Sequence, residues 1–146
     1  LVMTEKFNMP FDNKGGEASK GEIDQNFLRM LLTKSDEMNF PRADHKQDYY
    51  KLLDNFNSEI PPNNILRTVT EFTAIKIKKF YDYCGKPDEI IVHGGGTRNL
   101  FLMDLIEAKT SKVIRTTKDK VPSKYVEAAG FAYLAYLNQG VVFFSK

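Results

Sequence analysis

The sequence predicts an α/β fold: a short parallel strand pair in a βαβ unit, packed with several helices in a single domain over residues 1–146. Three observations predict it. First, a β-branched run, a helix-spaced stretch and the second β-branched run KVIRTT follow one another between Glu89 and Thr117. Strand, helix and strand over so short a span require parallel strands with a right-handed crossover. Second, upstream apolar residues recur at helical spacing in segments parted by proline and glycine. Third, 42% hydrophobic and 27% charged residues in a chain of 146 are ordinary values for a globular protein able to bury a core.

The elements follow in order. Residues 1–21 are polar, hold Gly15, Gly16 and Gly21, and read as loop or a flexible, frayed entry. Asp24 to Thr33 predicts a helix, with Phe27, Met30 and Leu31 on its stripe. A break containing Pro41 precedes a second short helix, Lys46 to Phe56, with Tyr49, Leu52, Leu53 and Phe56 near one face. Pro61 and Pro62 then stop and restart the chain, and Asn63 or Asn64 is the expected cap of a helix from about Ile65 to Tyr83. Gly85 fits the residue just past that helix, and Pro87 bars its continuation.

Glu89 to Val92 predicts the first strand, Asn99 to Ala108 a helix with Leu102, Leu105 and Ile106 inward, and Lys112 to Thr117 the second strand. Ser123 to Asn138 is apolar nearly all round, which predicts a helix buried on most sides and capped by Gly140. The closing VVFFSK reads as a strand or a tail.

Composition narrows the function classes. A net charge of +2 gives no case for nucleic acid or anionic membranes. The lone Cys84 allows no intramolecular disulfide, which suits a reducing cytoplasm, and reads as a helix-end residue rather than a nucleophile. Two histidines and one cysteine make no metal site. No apolar run is long enough to span a bilayer, and no signal peptide is visible. The opening LVMTEKFNMP does not resemble a natural start, so a portion of a longer protein is expected.

The stretch IIVHGGGTRN, residues 90–99, carries the candidate chemistry. Glycines at the carboxyl end of a strand permit positive φ and let a ligand approach backbone N–H groups, and the following helix adds its positive end. Gly94 and Gly96 meet two positions of a dinucleotide fingerprint, but Asn99 stands at the third. His93 to Gly96 spell the HGGG oxyanion element of esterases, yet no G-x-S-x-G elbow accompanies it. Thr97-Arg98-Asn99 is not the G-K-[ST] of a P-loop. Nucleotide phosphate or ribose binding and a plain structural turn both remain open on these residues. Arg98 reads as a solvated helix-start residue rather than a phosphate clamp.

Four segments together carry a resemblance. GGGTRNLFLMDLI at 94–106 looks like a GGG-[AT]-x-N-x-x-LM element, and VEAAGFAYLAY at 126–136 is similar to E-A-x-x-F-A-x-L-A. ILRTVTEFTAIKI at 65–77 resembles T-L-T-x-F-T-A-x-S-I, and FDNKGGEASKGEIDQNFLRMLL at 11–32 resembles D-x-x-G-x-x-A-x-x-G followed by a Leu pair. These are elements of the anhydro-N-acetylmuramic acid kinases, a family of the actin-like (ribonuclease H-like) superfamily of sugar kinases. The resemblance covers nearly the whole chain and implies much of the C-terminal lobe of a two-lobed protein with ATP in the cleft. Gly94, Gly95 and Gly96 would then lie against the adenosine end and α-phosphate of ATP, with Asn99 as polar partner and Glu127 near the sugar or the interlobe hinge.

The family uses ATP and Mg²⁺ to open the 1,6-anhydro bridge of an amino sugar with water and to phosphorylate O6, in cell-wall recycling. The resemblance also implies that the first phosphate loop, the catalytic aspartate, the sugar pocket and the D-T-G-P-G-N element lie outside these residues. No catalytic residue is therefore expected in this chain, and alone it is expected to be inactive. FPRADHKQDYYKLL at 40–53 stands where the family has P-P-K-S-T-G-R-E-x-F, and contacts made by that Lys-Ser-Thr-Gly centre are not carried over. The competing expectation is a non-catalytic interaction or regulatory lobe. Bare apolar surface around Phe131, Tyr133 and Tyr136 would favour self-association, as a homodimer.

Overall fold

The computed structural model describes residues 2–37, 39–40, 49, 52, 60–116, 121–122 and 125–137, with the side chains of 115 and 116 left aside. In chain order its helices and strands are α1 (Val2–Phe7), α2 (Gln25–Asp36), α3 (Pro62–Tyr83), β1 (Ile90–Val92), α4 (Leu100–Thr110), β2 (Ile114–Thr116) and α5 (Val126–Tyr136). Short 3-10 turns occupy Asn13–Gly15, Ala18–Lys20 and Gly95–Arg98. The strand pair is parallel, with Ile90 opposite Ile114 and Val92 opposite Thr116. The βαβ unit is therefore present as the sequence predicts, and helices make up most of the rest.

The long helix α3 is the hub, touched by α1, α2, α4 and the turn at 18–20. Its apolar face joins α2 in a core of Phe27, Leu31, Ile60 and Ile65, onto which Val2, Tyr49, Leu52, Val69 and Phe72 pack. Ala74 and Ile106 are also fully buried, and Leu102 and Leu105 are half-buried beside Ile106 on α4. Polar residues finish the helix ends. Asp24 Oδ1 accepts from the N–H of Phe27 (2.8 Å), which caps α2. The N–H of Asp24 donates to the hydroxyl of buried Thr68 on α3 (2.9 Å), so the cap also fixes where α2 meets α3. At the far end of α3, Gly85 takes φ +79° while the N–H of Lys86 reaches the carbonyl of Tyr81 (3.0 Å). That is the glycine stop the sequence predicts.

Three expectations need correction. Neither Asn63 nor Asn64 caps α3: the helix starts earlier, at Pro62, whose fixed φ suits a first helical position. The two amides point outward to the entry segment instead. Asn63 Nδ2 donates to the carbonyl and carboxylate of Glu17 (3.0 and 2.9 Å), and Asn64 Oδ1 accepts from the N–H of Glu22 (3.0 Å). Second, residues 1–21 are more than a frayed loop; they carry α1 and two 3-10 turns fastened to α3 and α4. The polar composition hid this because the two turns are fastened by hydrogen bonds and close backbone approach, and α1 brings only Val2 and Met3 to the core.

Third, α5 is not buried. Phe131 is 66% exposed, Tyr133 62% and Tyr136 81%. An all-apolar helix needs cover on several sides, and the described residues supply none of α5's residues with a buried setting. The expected helix at 46–56 lies outside the described residues except for Tyr49 and Leu52, as do the expected cap Gly140 and the VVFFSK tail.

Candidate functional site

The site is built where β1 runs out. After Val92 the chain passes exposed His93 and turns at Gly94, whose φ of +88° would strain any other residue. The turn is then closed from within: the N–H and Oγ1 of Thr97 donate to the carbonyl of Gly94 (3.3 and 2.8 Å), and the N–H of Asn99 donates to that of Gly96 (3.0 Å). Asn99 Oδ1 accepts from the N–H of Leu102 (3.0 Å) and caps α4. Among the described residues, no atom outside the neighbouring chain lies within 4 Å of a Cβ placed on Gly94, Gly95 or Gly96. Internal packing does not demand glycine at 95 or 96; the space in front of them is open.

The facing wall comes from the entry segment. Asp12 folds it, its two carboxylate oxygens accepting from the N–H groups of Glu17 (2.8 Å) and Ala18 (2.9 Å). Ala18, 1% exposed, is sunk in the turn that packs on α3. Gly15 takes φ +78°, and a Cβ there would lie 2.2 Å from Asn99 Oδ1 and 2.7 Å from Phe101 Cβ. At Gly21 a Cβ would lie 2.2 Å from the carbonyl oxygen of Asn63. The D-x-x-G-x-x-A-x-x-G spacing is thus architectural at every fixed position: one carboxylate cage, one buried methyl and two close approaches. Hydrogen bonds from Lys20 and from Asn63 hold the Glu17 carboxyl below its usual range, consistent with the same docking.

Between the two walls opens a cavity of about 400 Å³, lined by Phe11, Asp12, Lys14, Gly95, Arg98 and Asn99 among others. Its only carboxylate in that lining, Asp12, is occupied by two amides, whereas Lys14 and Arg98 are exposed cations. Of the residues singled out in the sequence, Gly95 and Asn99 reach this cavity and Gly94 and Gly96 flank it along the same turn. Glu127 does not: it sits exposed in the first turn of α5 and is absent from the lining. Arg98, read as a solvated helix-start residue, lines the cavity. Phe11 and Lys14 were not singled out; the spacing of Asp12, Gly15 and Ala18 was the signal that this segment is docked. Among the described residues no group of three His, Cys, Asp or Glu is placed to hold a metal ion, and Mg²⁺ that accompanies a nucleotide is usually held by its phosphates with one or two carboxylates.

Glycines at the carboxyl end of a parallel strand, with a capped helix behind them and an open cavity in front, are an arrangement at which α/β proteins commonly receive anionic ligands. The comparisons with known proteins make the class specific. The family model of anhydro-N-acetylmuramic acid kinase matches residues 2–140, and the chain belongs to that family. It is 30% identical over 141 residues to the anhydro-N-acetylmuramic acid kinase of Synechococcus elongatus, covering 90% of this chain and 37% of that protein. It is 31% identical over 136 residues to the enzyme of the same name from Cupriavidus metallidurans, covering 86% and 36%. With that of Burkholderia mallei it shares 30% over 145 residues, covering 87% and 36%. The chain therefore spans little more than a third of the length of the curated relatives it matches.

Proposed function

We propose that this chain forms the nucleotide-side, C-terminal lobe of an ATP-dependent anhydro-N-acetylmuramic acid kinase of actin-like architecture. ATP lies against Gly94, Gly95 and Gly96, with Asn99 beside it at the start of α4. The observation that carries the reading is the open space before those glycines, which no atom of the described residues fills. Oδ1 of Asn99 is engaged in the cap, so its amide nitrogen is the atom offered to the ligand. In the reaction of the whole protein, water opens the 1,6-anhydro bridge at C1, the freed O6 takes the γ-phosphoryl group, and ADP leaves. Phosphoryl transfer depends on positioning and charge stabilisation from both sides of a cleft. A single lobe supplies one side, so these residues alone are inactive. Mg²⁺ enters with the phosphates of ATP, and no step is assigned to protein-held metal. Glu127 keeps a place near the sugar or the hinge, and the cytoplasm is the expected setting. Among the described residues no helix is long and apolar enough to cross a membrane.

The bare apolar face of α5 favours a second reading, a non-catalytic lobe that binds a partner or a second copy of itself. Titration with MgATP, followed by amide NMR, separates the two. A nucleotide lobe shows shifts centred on Gly94–Asn99, with weak affinity because half of the contacts are elsewhere; no shifts at millimolar ATP leave the interaction reading. Gly95→Ala sharpens the test. The position has ordinary φ and open space, so stability should change by no more than about 0.5 kcal/mol. ATP affinity should fall about tenfold as the methyl group keeps phosphate from the backbone. Unchanged affinity in this variant would remove the role assigned to the glycines. Robust ATP-dependent phosphorylation of anhydro-N-acetylmuramic acid by the 146 residues alone would remove the single-lobe reading.

A further inference from the structure

We infer that Lys14 and Arg98 form a two-sided phosphate clamp across the cavity, so that the entry turn, not only the glycine turn, holds the anionic part of the ligand. The inference takes the identity of the ligand, a nucleotide polyphosphate, from the function proposed above. The clamp itself rests on placement and charge. The two side chains come from opposite walls, Lys14 from the turn folded by Asp12 and Arg98 from the glycine turn, and both line the same cavity. Neither is neutralised from within. The Asp12 carboxylate accepts two backbone amides, Glu17 is bonded to Lys20 and Asn63, and among the described residues neither Lys14 nor Arg98 takes part in a salt bridge. Two unpaired cations facing one open cavity call for an anion.

The backbone at Lys14 points the same way. Its φ of +57° is left-handed, a region disfavoured for any residue with a Cβ, and the turn holds it there: the N–H of Gly15 donates to the carbonyl of Asp12 (3.3 Å) and that of Gly16 to Asn13 (3.0 Å). The two cations are complementary as ligands. A guanidinium grips phosphate oxygens in a planar fork, whereas an ammonium serves as a mobile point charge. Because both are exposed, their attraction is screened by salt and strongest at low ionic strength.

The test uses the full chain, labelled for amide NMR, titrated at low salt with ATP, inorganic tripolyphosphate and adenosine. ATP and tripolyphosphate should both shift the amides of Lys14, Gly15 and Gly95–Asn99, and adenosine should bind at least about tenfold more weakly than ATP. Lys14→Gln and Arg98→Gln should each weaken ATP about tenfold. Arg98→Lys should recover part of that loss, and melting temperatures should be unchanged. Lys14→Gly supplies a second check: it removes the charge while relaxing the left-handed backbone, so the chain should become more stable and yet bind ATP more weakly. Undiminished ATP affinity in the Lys14→Gln, Arg98→Gln double variant would overturn the clamp and leave the nucleotide reading intact. Binding of tripolyphosphate without binding of ATP would uphold the clamp and overturn the nucleotide reading. Absence of shifts with both would overturn both.

Discussion

Gly15→Ala is expected to unseat the entry turn from α4 and to destabilise the protein more than any other single methyl group added near the cavity. Two costs combine. A left-handed backbone with a Cβ costs about 1–2 kcal/mol, and Gly15 sits at φ +78°. The added carbon would also lie 2.2 Å from Asn99 Oδ1 and 2.7 Å from Phe101 Cβ, so one wall has to move. Overpacking of this kind costs about 1–3 kcal/mol. The sum is a loss of about 2–5 kcal/mol, read by denaturant unfolding. Asn99 is also the cap of α4, so displacing its side chain loosens the helix that follows the glycine turn. Gly16→Ala is the control: φ is −65° and the nearest obstacle, the carbonyl of Asn13, is at 3.3 Å. Equal effects at the two positions would refute the proposed contact.

Glu71→Gln is expected to cost about 3 kcal/mol, the lower end of the range for removing one partner from a buried ion pair. Glu71 is 7% exposed on α3 and receives two cations at once, Arg67 Nη1 at 2.9 Å and Lys109 Nζ from α4. The Arg67 guanidinium lies over the Phe101 ring at 4.9 Å, so the cluster joins α3 to the base of α4. Burial works against the charged carboxylate, but the hydrogen bonds and charges of Lys109 and Arg67 outweigh it and leave the pKa below its ordinary 4.5. The sign follows. A depressed folded-state pKa contributes stability in full above the unfolded value, and that contribution is lost as pH falls from about 4.5 through the folded value. The difference between wild type and Glu71→Gln should therefore be constant near neutrality and shrink in acid. A difference that grows on acidification would contradict the ion cluster.

How much of this could be read beforehand depends on how local each signal is. The βαβ unit, the stop at Gly85 and the start of α4 at Asn99 were legible because cap, turn and periodicity sit within a few residues of what they control. Asn63 and Asn64 misled for the same reason. Their side chains suit a cap, yet Pro62 already begins α3, and the amides serve Glu17 and Glu22, far away in sequence. The glycine turn was legible as a candidate site, whereas its facing wall was not. Nothing in the order of residues says that Lys14 and Arg98 line one cavity; that follows only from Gly15 closing on Asn99. For α5, composition spoke for burial, and a sequence cannot say which surface would provide it.

The entry turn has a kinetic side as well. Its close approach to Asn99 joins chain segments further apart in sequence than the contacts that hold α2 and α4 to α3, such as Asp24 with Thr68 and Glu71 with Lys109. Loops that long are closed late, after local structure has formed, and what closes late also opens first. The amides of Glu17 and Ala18, bonded to the Asp12 carboxylate, should exchange with solvent well before those in the middle of α3; equal protection would argue that the whole assembly opens as one. The cavity is then expected to be completed late in folding and lost early in unfolding.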